Sequence, residues 1–292
     1  MKPAPFQYHA PRSLSDALSL LAEHGYDAKP LAGGQSLVPT MNFRLAQPGI
    51  LIDLNSIPEL AYIRLASDGS LHIGAMTRHS TVELDPLVAQ HAPLLHETMP
   101  HIAHRQIRNR GTIGGSLAHA DPSAELPSVM VALDARFRLQ SRTDERFVAA
   151  ADFYQGLFTT DLAPEELLVE IAIPPMPARS GYAFDEVARR PGDYAMVGVA
   201  AVVTLDAVGR CADAKLVYLS VGEGPTPAMQ AVAALLGQPP SPELIALAAN
   251  IAADNDIDPV ADIHASAAYR RQLAKVLARR TLTRAFERAS GQ

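Results

Sequence analysis

A glycine-rich turn followed by a helix signal constrains this chain more than any other stretch of its sequence. The turn runs Gly111-Thr112-Ile113-Gly114-Gly115-Ser116, and Asp121 (a candidate helix N-cap) and Pro122 (at the first helical position) follow it. Paired glycines let backbone N–H groups approach a bulky ligand, because no Cβ stands in the way. Taken alone, the motif predicts a ligand cradle, a tight turn or close packing, and the last two are commoner.

A second stretch of the same kind lies upstream, Leu31-Ala32-Gly33-Gly34-Gln35-Ser36-Leu37. Two such loops can close on one elongated anion from two sides, as the pyrophosphate of a dinucleotide requires. Neither stretch follows the dinucleotide pattern G-x-G-x-x-G, and the sequence contains no P-loop pattern. A Rossmann enzyme and a P-loop enzyme are therefore disfavoured.

Outside these loops, the pattern of apolar residues indicates mixed helices and strands. A helix begins after Ser13, and the apolar runs at 29–32 and 50–54 complete a small β-α-β unit that ends near residue 56. A second α+β unit follows, with hairpins at 60–76 and 136–149, helices broken by prolines between 81 and 97, and a strand at 167–173. The proline-rich stretch 174–181 is the best domain boundary. Beyond it, strands at 182–189, 197–205 and 214–221 and helices at 228–236, 242–250 and 265–288 predict an α+β domain.

Composition excludes several classes of protein. The 292 residues carry a net charge of −6 and no basic block, which argues against nucleic acid as a partner. No apolar run reaches the roughly 18 to 20 residues of a membrane span, and the N-terminus lacks the apolar core of a signal peptide, so a cytoplasmic location is expected. The single cysteine, Cys211, cannot hold an iron–sulfur cluster or a four-cysteine zinc site, and we expect it to be a buried structural thiol.

Four motifs, in order along the chain, resemble the medium (flavin) subunits of molybdenum hydroxylases of the carbon monoxide dehydrogenase and xanthine dehydrogenase type. The motifs are 32–39 with 44–46 and 51–54, then 112–122, 189–195 and 267–273, and the similarity runs from about residue 6 to about residue 284. The resemblance implies an α+β fold. It consists of a two-part FAD-binding domain of the PCMH (vanillyl-alcohol-oxidase-like) type at 1–176, with subdomains of about 1–56 and 57–176, and a C-terminal domain at 177–292 with a three-stranded antiparallel sheet and helices.

The same resemblance implies cofactors and partners. FAD would lie on this chain, the molybdopterin cofactor on a large partner subunit and two [2Fe-2S] clusters on a small one, in a dimer of heterotrimers. Electrons would pass from the clusters to FAD and leave to a terminal acceptor. No residue of this chain stands out as a catalytic acid, base or nucleophile for a substrate.

The family motifs also imply roles for individual side chains. The N–H groups of 33–36 would bind one side of the pyrophosphate, and those of 114–116, with the Thr112 hydroxyl, the other. Glu125 would accept from the sugar hydroxyls, and Tyr194 would pack on the isoalloxazine ring. Ile102 occupies the position where xanthine dehydrogenases place an aromatic residue against the flavin, and Asp185 the position where they place a lysine, of opposite charge, near the cofactor. Leu168 would lie near the adenine or simply pack in the core. The predicted cofactor-binding set is Lys29, Pro30, Leu31, Ala32, Gly33, Gly34, Gln35, Ser36, Ile102, Gly111, Thr112, Ile113, Gly114, Gly115, Ser116, Asp121, Glu125, Leu168, Asp185 and Tyr194.

Three further patterns have weaker interpretations. His101 and His104 hint at a metal, but no carboxylate completes a ligand set and a basic surface is favoured. The stretch 254–258 begins like a calcium loop, but Pro259 occupies its glycine position. Basic residues of the last helix form either a solvated face or a docking surface for a partner subunit. They are Arg270, Arg271, Lys275, Arg279, Arg280, Arg284 and Arg288.

Two rival functions stay open at this point. A self-contained flavin oxidase would need its own substrate pocket with a base near the flavin, and a small organic donor would reduce the isolated chain. A non-redox nucleotide-binding protein would use the two loops for another ligand and would be colourless rather than yellow.

Overall fold

A three-stranded parallel sheet begins the chain in the computed structural model, which describes residues 1–291. Its strand order is β1-β3-β2, and its first strand is one that the sequence did not predict. The predicted helix after Ser13 is confirmed, because the Ser13 hydroxyl accepts from the Asp16 N–H and Gly25 ends the helix. The elements are β1 (Gln7–His9), α1 (Leu14–His24), β2 (Ala28–Leu31), α2 (Leu37–Asn42) and β3 (Ile50–Asp53).

A five-stranded antiparallel sheet, in the order β4-β5-β10-β6-β7, organises the second part. Both predicted hairpins are confirmed, and so are the predicted helix breaks, since Pro86 and Pro93 each stand at the first position of a new helix. The elements are β4 (Ile63–Leu65), β5 (Leu71–Gly74), α3 (His79–Leu84), α4 (Pro86–His91), α5 (Pro93–Thr98), α6 (Arg105–Arg108), α7 (Ile113–His119), α8 (Glu125–Ala132), β6 (Arg136–Gln140), β7 (Glu145–Ala149), α9 (Ala150–Phe153), β8 (Tyr154–Gly156), β9 (Thr159–Thr160) and β10 (Leu167–Ile173).

The last part is a four-stranded antiparallel sheet, β11-β12-β13-β14, covered by helices. It has one strand more than predicted, because a two-residue segment pairs with the edge of β13. The long helix α12 lies across β11 and β12. The elements are β11 (Ser180–Ala188), β12 (Ala195–Leu205), β13 (Cys211–Leu219), β14 (Thr226–Pro227), α10 (Met229–Leu235), α11 (Pro242–Ile251) and α12 (Ala267–Ala289).

Helix α8 joins the second part of the chain to the third. All eight of its residues are buried, as expected of a helix that is apolar on most sides. It packs against β12 and β13, and the Ser128 hydroxyl donates to the Tyr218 carbonyl at 2.9 Å. One apolar core runs through both parts. Side chains on either side of the proline-rich stretch are therefore held in a fixed relation.

Several sequence predictions are corrected or settled by these elements. The helix expected to begin at Asp121 and Pro122 begins at Glu125, since the Asp121 carboxylate instead closes a turn by accepting from the Ser123 N–H. Cys211 is buried, as expected. Arg270 does not lie on an outward face of α12 but is buried at 7% exposure. Among residues 1–291, none of the helices has both the length and the apolar composition needed to cross a membrane.

Candidate functional site

The two glycine loops, defined here as the first loop (32–36) and the second loop (110–116), lie directly against each other. A Cβ on Gly33 would come within 2.4 Å of the Arg110 carbonyl oxygen and 2.7 Å of the Gly111 Cα. A Cβ on Gly115 would fall 3.2 Å from the Ala32 Cβ. The close approach of the two loops that the sequence predicts is therefore present, and it depends on glycine.

The first loop exposes a run of backbone donors. Among residues 1–291, no acceptor is placed for the N–H groups of Gly33, Gly34, Gln35 and Ser36, and the Ser36 hydroxyl forms no hydrogen bond either. Gly34 adopts the left-handed region, at φ 72°, which turns successive N–H groups toward one side. Such a concave row of N–H groups is a site for phosphate oxygens.

The second loop has a different structure from the one expected. Its residues begin helix α7, with the Thr112 hydroxyl as N-cap. The Gly114 N–H donates to the Ala75 carbonyl at 2.8 Å, and the Gly115 and Ser116 N–H groups donate to Thr112. The expectation that these three N–H groups serve a phosphate is therefore corrected. The glycines instead permit close packing, since a Cβ on Gly114 would come within 2.4 Å of the Ala75 Cβ.

A group of buried acidic side chains lies at the start of α8. Glu125 is 8% exposed, and burial, followed by the charge of Glu186, raises its pKa to about 8. Glu186 contacts His101, with 3.4 Å between its Oε1 and the histidine Nδ1, and its other carboxylate oxygen is buried with no hydrogen-bond partner among residues 1–291. The hydrogen bond to Glu186 raises the pKa of His101. At neutral pH Glu125 is thus mostly protonated and can both donate and accept.

Tyr194 stands beside this group, on the loop between β11 and β12. The residue is 65% exposed, and partial desolvation, followed by the charges of Asp121 and Glu125, raises the pKa of its hydroxyl. A cavity of about 250 Å³ adjoins the ring and is lined in part by Asp121 and Arg189. Gly192 fixes the loop, since it has φ 80° and a Cβ there would come within 2.4 Å of the His104 ring. The last part of the chain therefore presents Tyr194 beside the start of α8.

The remaining predicted residues divide into three groups. Lys29, Pro30 and Leu31 form β2 and lead into the first loop. Ile102 and Leu168 are buried in the shared core, which is consistent with a packing role. Asp185 is not brought to the site, because its carboxylate pairs with Arg284 of α12 at 3.3 Å on the opposite face of β11. Its neighbour Glu186 points to the site instead, as the alternation of side chains along a strand requires.

Sequence reasoning missed Asn55 and Arg78, which join the two loops, and Glu186, which lies beside His101 and Glu125. The sequence contained a usable signal for Asn55, because this residue follows a strand parallel to β2. The ends of neighbouring parallel strands meet at one edge of the sheet, so Asn55 could have been placed beside the first loop. Arg78 had no such signal, since its partners Asn55 and Arg110 are distant in sequence.

The free energy of unfolding of the ligand-free protein is expected to fall as pH rises. Glu125→Gln is expected to remove this fall. The folded-state pKa of about 8 lies above the ordinary value of 4.5, so the folded protein binds the extra proton between these pH values. Stability is full below that window and declines through it, by about 5 kcal/mol in total at about 1.4 kcal/mol per pKa unit, of which about 3 kcal/mol falls between pH 5.5 and 8. Urea unfolding at pH 5.5 and 8 measures the difference. Equal declines in the variant and the original protein would contradict the assignment.

Comparison with known proteins identifies the family to which the chain belongs. Residues 4–176 match the FAD binding domain in molybdopterin dehydrogenase, and residues 182–285 match the CO dehydrogenase flavoprotein C-terminal domain. The chain is 46% identical over 289 residues to the 6-hydroxypseudooxynicotine dehydrogenase complex subunit alpha of Paenarthrobacter nicotinovorans, covering 99% of this chain and 97% of the relative. It is 41% identical to the carbon monoxide dehydrogenase medium chain of Afipia carboxidovorans, covering 99% of both. The structure superposes on that of the carbon monoxide dehydrogenase from Hydrogenophaga pseudoflava with a TM-score of 0.95, at 39% identity and 99% coverage of both chains.

Proposed function

This chain belongs to the FAD-binding medium subunits of molybdenum hydroxylases, and from that premise we propose that it holds one FAD across the junction of its two glycine loops. The observation that carries the proposal is the contact of Gly33 with the second loop, together with the free N–H groups of 33–36. These groups suit a pyrophosphate, because backbone N–H groups attract its negative charge and the glycines carry no Cβ to block its approach.

The residues present suit the other parts of FAD as well. Glu125 is buried, and in its protonated form it can hydrogen-bond a sugar hydroxyl in either direction. Tyr194 offers an exposed ring face for packing on the isoalloxazine and keeps its hydroxyl proton at neutral pH. When bound, the flavin supplies the redox chemistry, and this chain supplies binding, orientation and electrostatics. Ile102 and Leu168 would support the site from the core.

The chain acts with partner subunits. Its relatives are medium subunits of multisubunit dehydrogenases, which implies a large and a small partner. We propose that electrons arrive from [2Fe-2S] clusters on the small subunit and that the complex is a dimer of heterotrimers. Relatives of similar identity are named for a nicotine derivative and for carbon monoxide, so the substrate is selected on another chain.

We also propose the division of the chain at residue 176, with subdomains meeting near residue 56. The boundary at residue 176 falls between the two family matches. The boundary near residue 56 separates the parallel sheet from the five-stranded antiparallel sheet. The cytoplasmic location expected from the sequence stays a prediction.

Tyr194→Ala is expected to leave FAD bound but change its reactivity at least about tenfold. The loop donors and Glu125 are untouched, whereas the ring and hydroxyl beside the flavin are lost. Stopped-flow reduction and reoxidation of the assembled complex measure the effect, with Tyr26→Ala, at a side chain 93% exposed, as the control. Unchanged rates for Tyr194→Ala would remove this residue from the site.

Co-purification followed by cofactor analysis tests the function. We expect one FAD per chain when this subunit is isolated, and molybdenum and iron only when its companions are present. Reduction of the isolated chain by a small organic donor would instead support a self-contained oxidase. A colourless protein that binds no added FAD would support a non-redox nucleotide-binding protein.

A further inference from the structure

Three hydrogen bonds join the carbonyl of one glycine loop to the carbonyl of the other. The Asn55 side-chain amide donates to the Ala32 carbonyl at 2.9 Å. The Arg78 guanidinium donates to the Asn55 amide oxygen at 2.6 Å and, through its other terminal nitrogen, to the Arg110 carbonyl. Arg78 thus contacts the second loop directly and the first loop through Asn55.

The two carbonyls held in this way belong to peptide groups that shape the proposed phosphate-binding site. In a trans peptide the C=O and the following N–H point in opposite directions. Holding the Ala32 carbonyl toward Asn55 therefore turns the Gly33 N–H away from it, and that N–H is the first of the free donors. The Arg110 carbonyl is the atom against which Gly33 packs most closely.

Asn55 is itself held from the opposite side. The Asp53 carboxylate accepts from the Asn55 backbone N–H at 2.9 Å and from its side-chain amide at 2.5 Å. Its other oxygen accepts from the Tyr8 hydroxyl at 2.5 Å. Two acceptors on the NH₂ group fix the amide so that its oxygen faces Arg78. The orientation of the Ala32 carbonyl is therefore set, through Asn55 and Asp53, by strands β1 and β3.

Within residues 1–291 no carboxylate pairs directly with the Arg78 guanidinium, whose charged form is favoured at longer range by Asp53. Within the described residues the guanidinium forms no salt bridge within 4 Å, and neither does Arg110. Both of its hydrogen-bond partners are neutral. A guanidinium left with neutral partners at the junction of two loops favours a doubly charged pyrophosphate there.

We infer that Arg78 and Asn55 are positioning residues that lock both glycine loops in the orientation that binds the FAD pyrophosphate. This inference rests on the proposed function. It assigns to a guanidinium and an amide outside both glycine motifs the task of fixing the Gly33 donor before FAD arrives. Preorganised donors bind more tightly because less ordering remains to be done on association.

The test uses the full-length chain, stripped of flavin and titrated with FAD. Arg78→Gln and Asn55→Ala are each expected to weaken FAD binding by about 10- to 100-fold, the loss typical of a hydrogen bond to a charged group. The double variant is expected to bind within about threefold of the weaker single variant, because both act through one network. Arg78→Lys, which keeps the charge but not the two-sided bridge, should fall between Arg78→Gln and the original protein.

Controls separate positioning from folding and from charge. Arg105→Gln, which removes a charge from an exposed side chain in α6, should leave FAD affinity unchanged. The flavin-free variants should melt within about 2 °C of the original protein. Parallel losses of melting temperature, full rescue by Arg78→Lys, or additive effects in the double variant would each overturn the inference. An original protein that binds no FAD would overturn the proposed function as well, whereas tight binding by every variant would overturn the positioning role alone.

Discussion

Gly33→Ala is expected to give a folded protein that retains less than about a tenth of the FAD of the original chain. The added Cβ would lie 2.4 Å from the Arg110 carbonyl oxygen and 2.7 Å from the Gly111 Cα. Both are backbone atoms, so no side chain can rotate to make room, and the two loops must separate. Separation moves the Gly33 donor away from the position that Asn55 and Arg78 hold.

Flavin absorbance per protein after gel filtration measures this loss. Gly224→Ala is the matched control, because the same added atom there meets only the Tyr154 Cβ at an ordinary 3.8 Å. Far-ultraviolet circular dichroism shows whether the variant folds. A folded Gly33→Ala protein with stoichiometric FAD would remove the junction of the two loops from the cofactor site.

Local signals were sufficient for much of the fold. Ser13 predicted the start of α1, and Pro86 and Pro93 predicted helix breaks, because caps and proline act through backbone hydrogen bonds close in sequence. At the Gly114–Gly115 pair the local signal predicted the wrong structure. Glycine is a poor helix former, so a turn was expected, but contact with Ala75 and Ala32 makes helix α7 begin there.

The site was predicted in its location more than in its contacts. The two loops lie together as expected, and Tyr194 lies beside Asp121 and Glu125, whereas the donors of 114–116 are used internally. Asp185 and Glu186 differ by one position, and only the register of β11 decides which of them faces α8. The bridge from Asn55 to Arg78 spans 23 residues and depends on packing between separate sheets. A single sequence contains no local pattern for such contacts.

Gly181→Ala is expected to lower the stability of the protein by about 3 kcal/mol, at the upper end of the range for overpacking. A Cβ there would come within 1.9 Å of the Ala285 carbonyl oxygen and 2.5 Å of the Ala289 nitrogen, both in the backbone of α12. The helix lies across β11 at this point through small buried residues, so the added methyl group must lift its last turns away from the sheet.

The expected fall in melting temperature is roughly 6 to 12 °C for a chain of this size, measured by calorimetry against the Gly224→Ala control. A change of less than about 2 °C would show that α12 does not need this close approach. The effect should extend to the cofactor site. Arg270 of the same helix donates to the Met196 and Ser220 carbonyls and pairs with Asp262 at 2.6 Å, so it holds the strand that follows Tyr194. Loosening α12 should therefore alter flavin reactivity before it releases FAD, because the loop donors lie in the other domain.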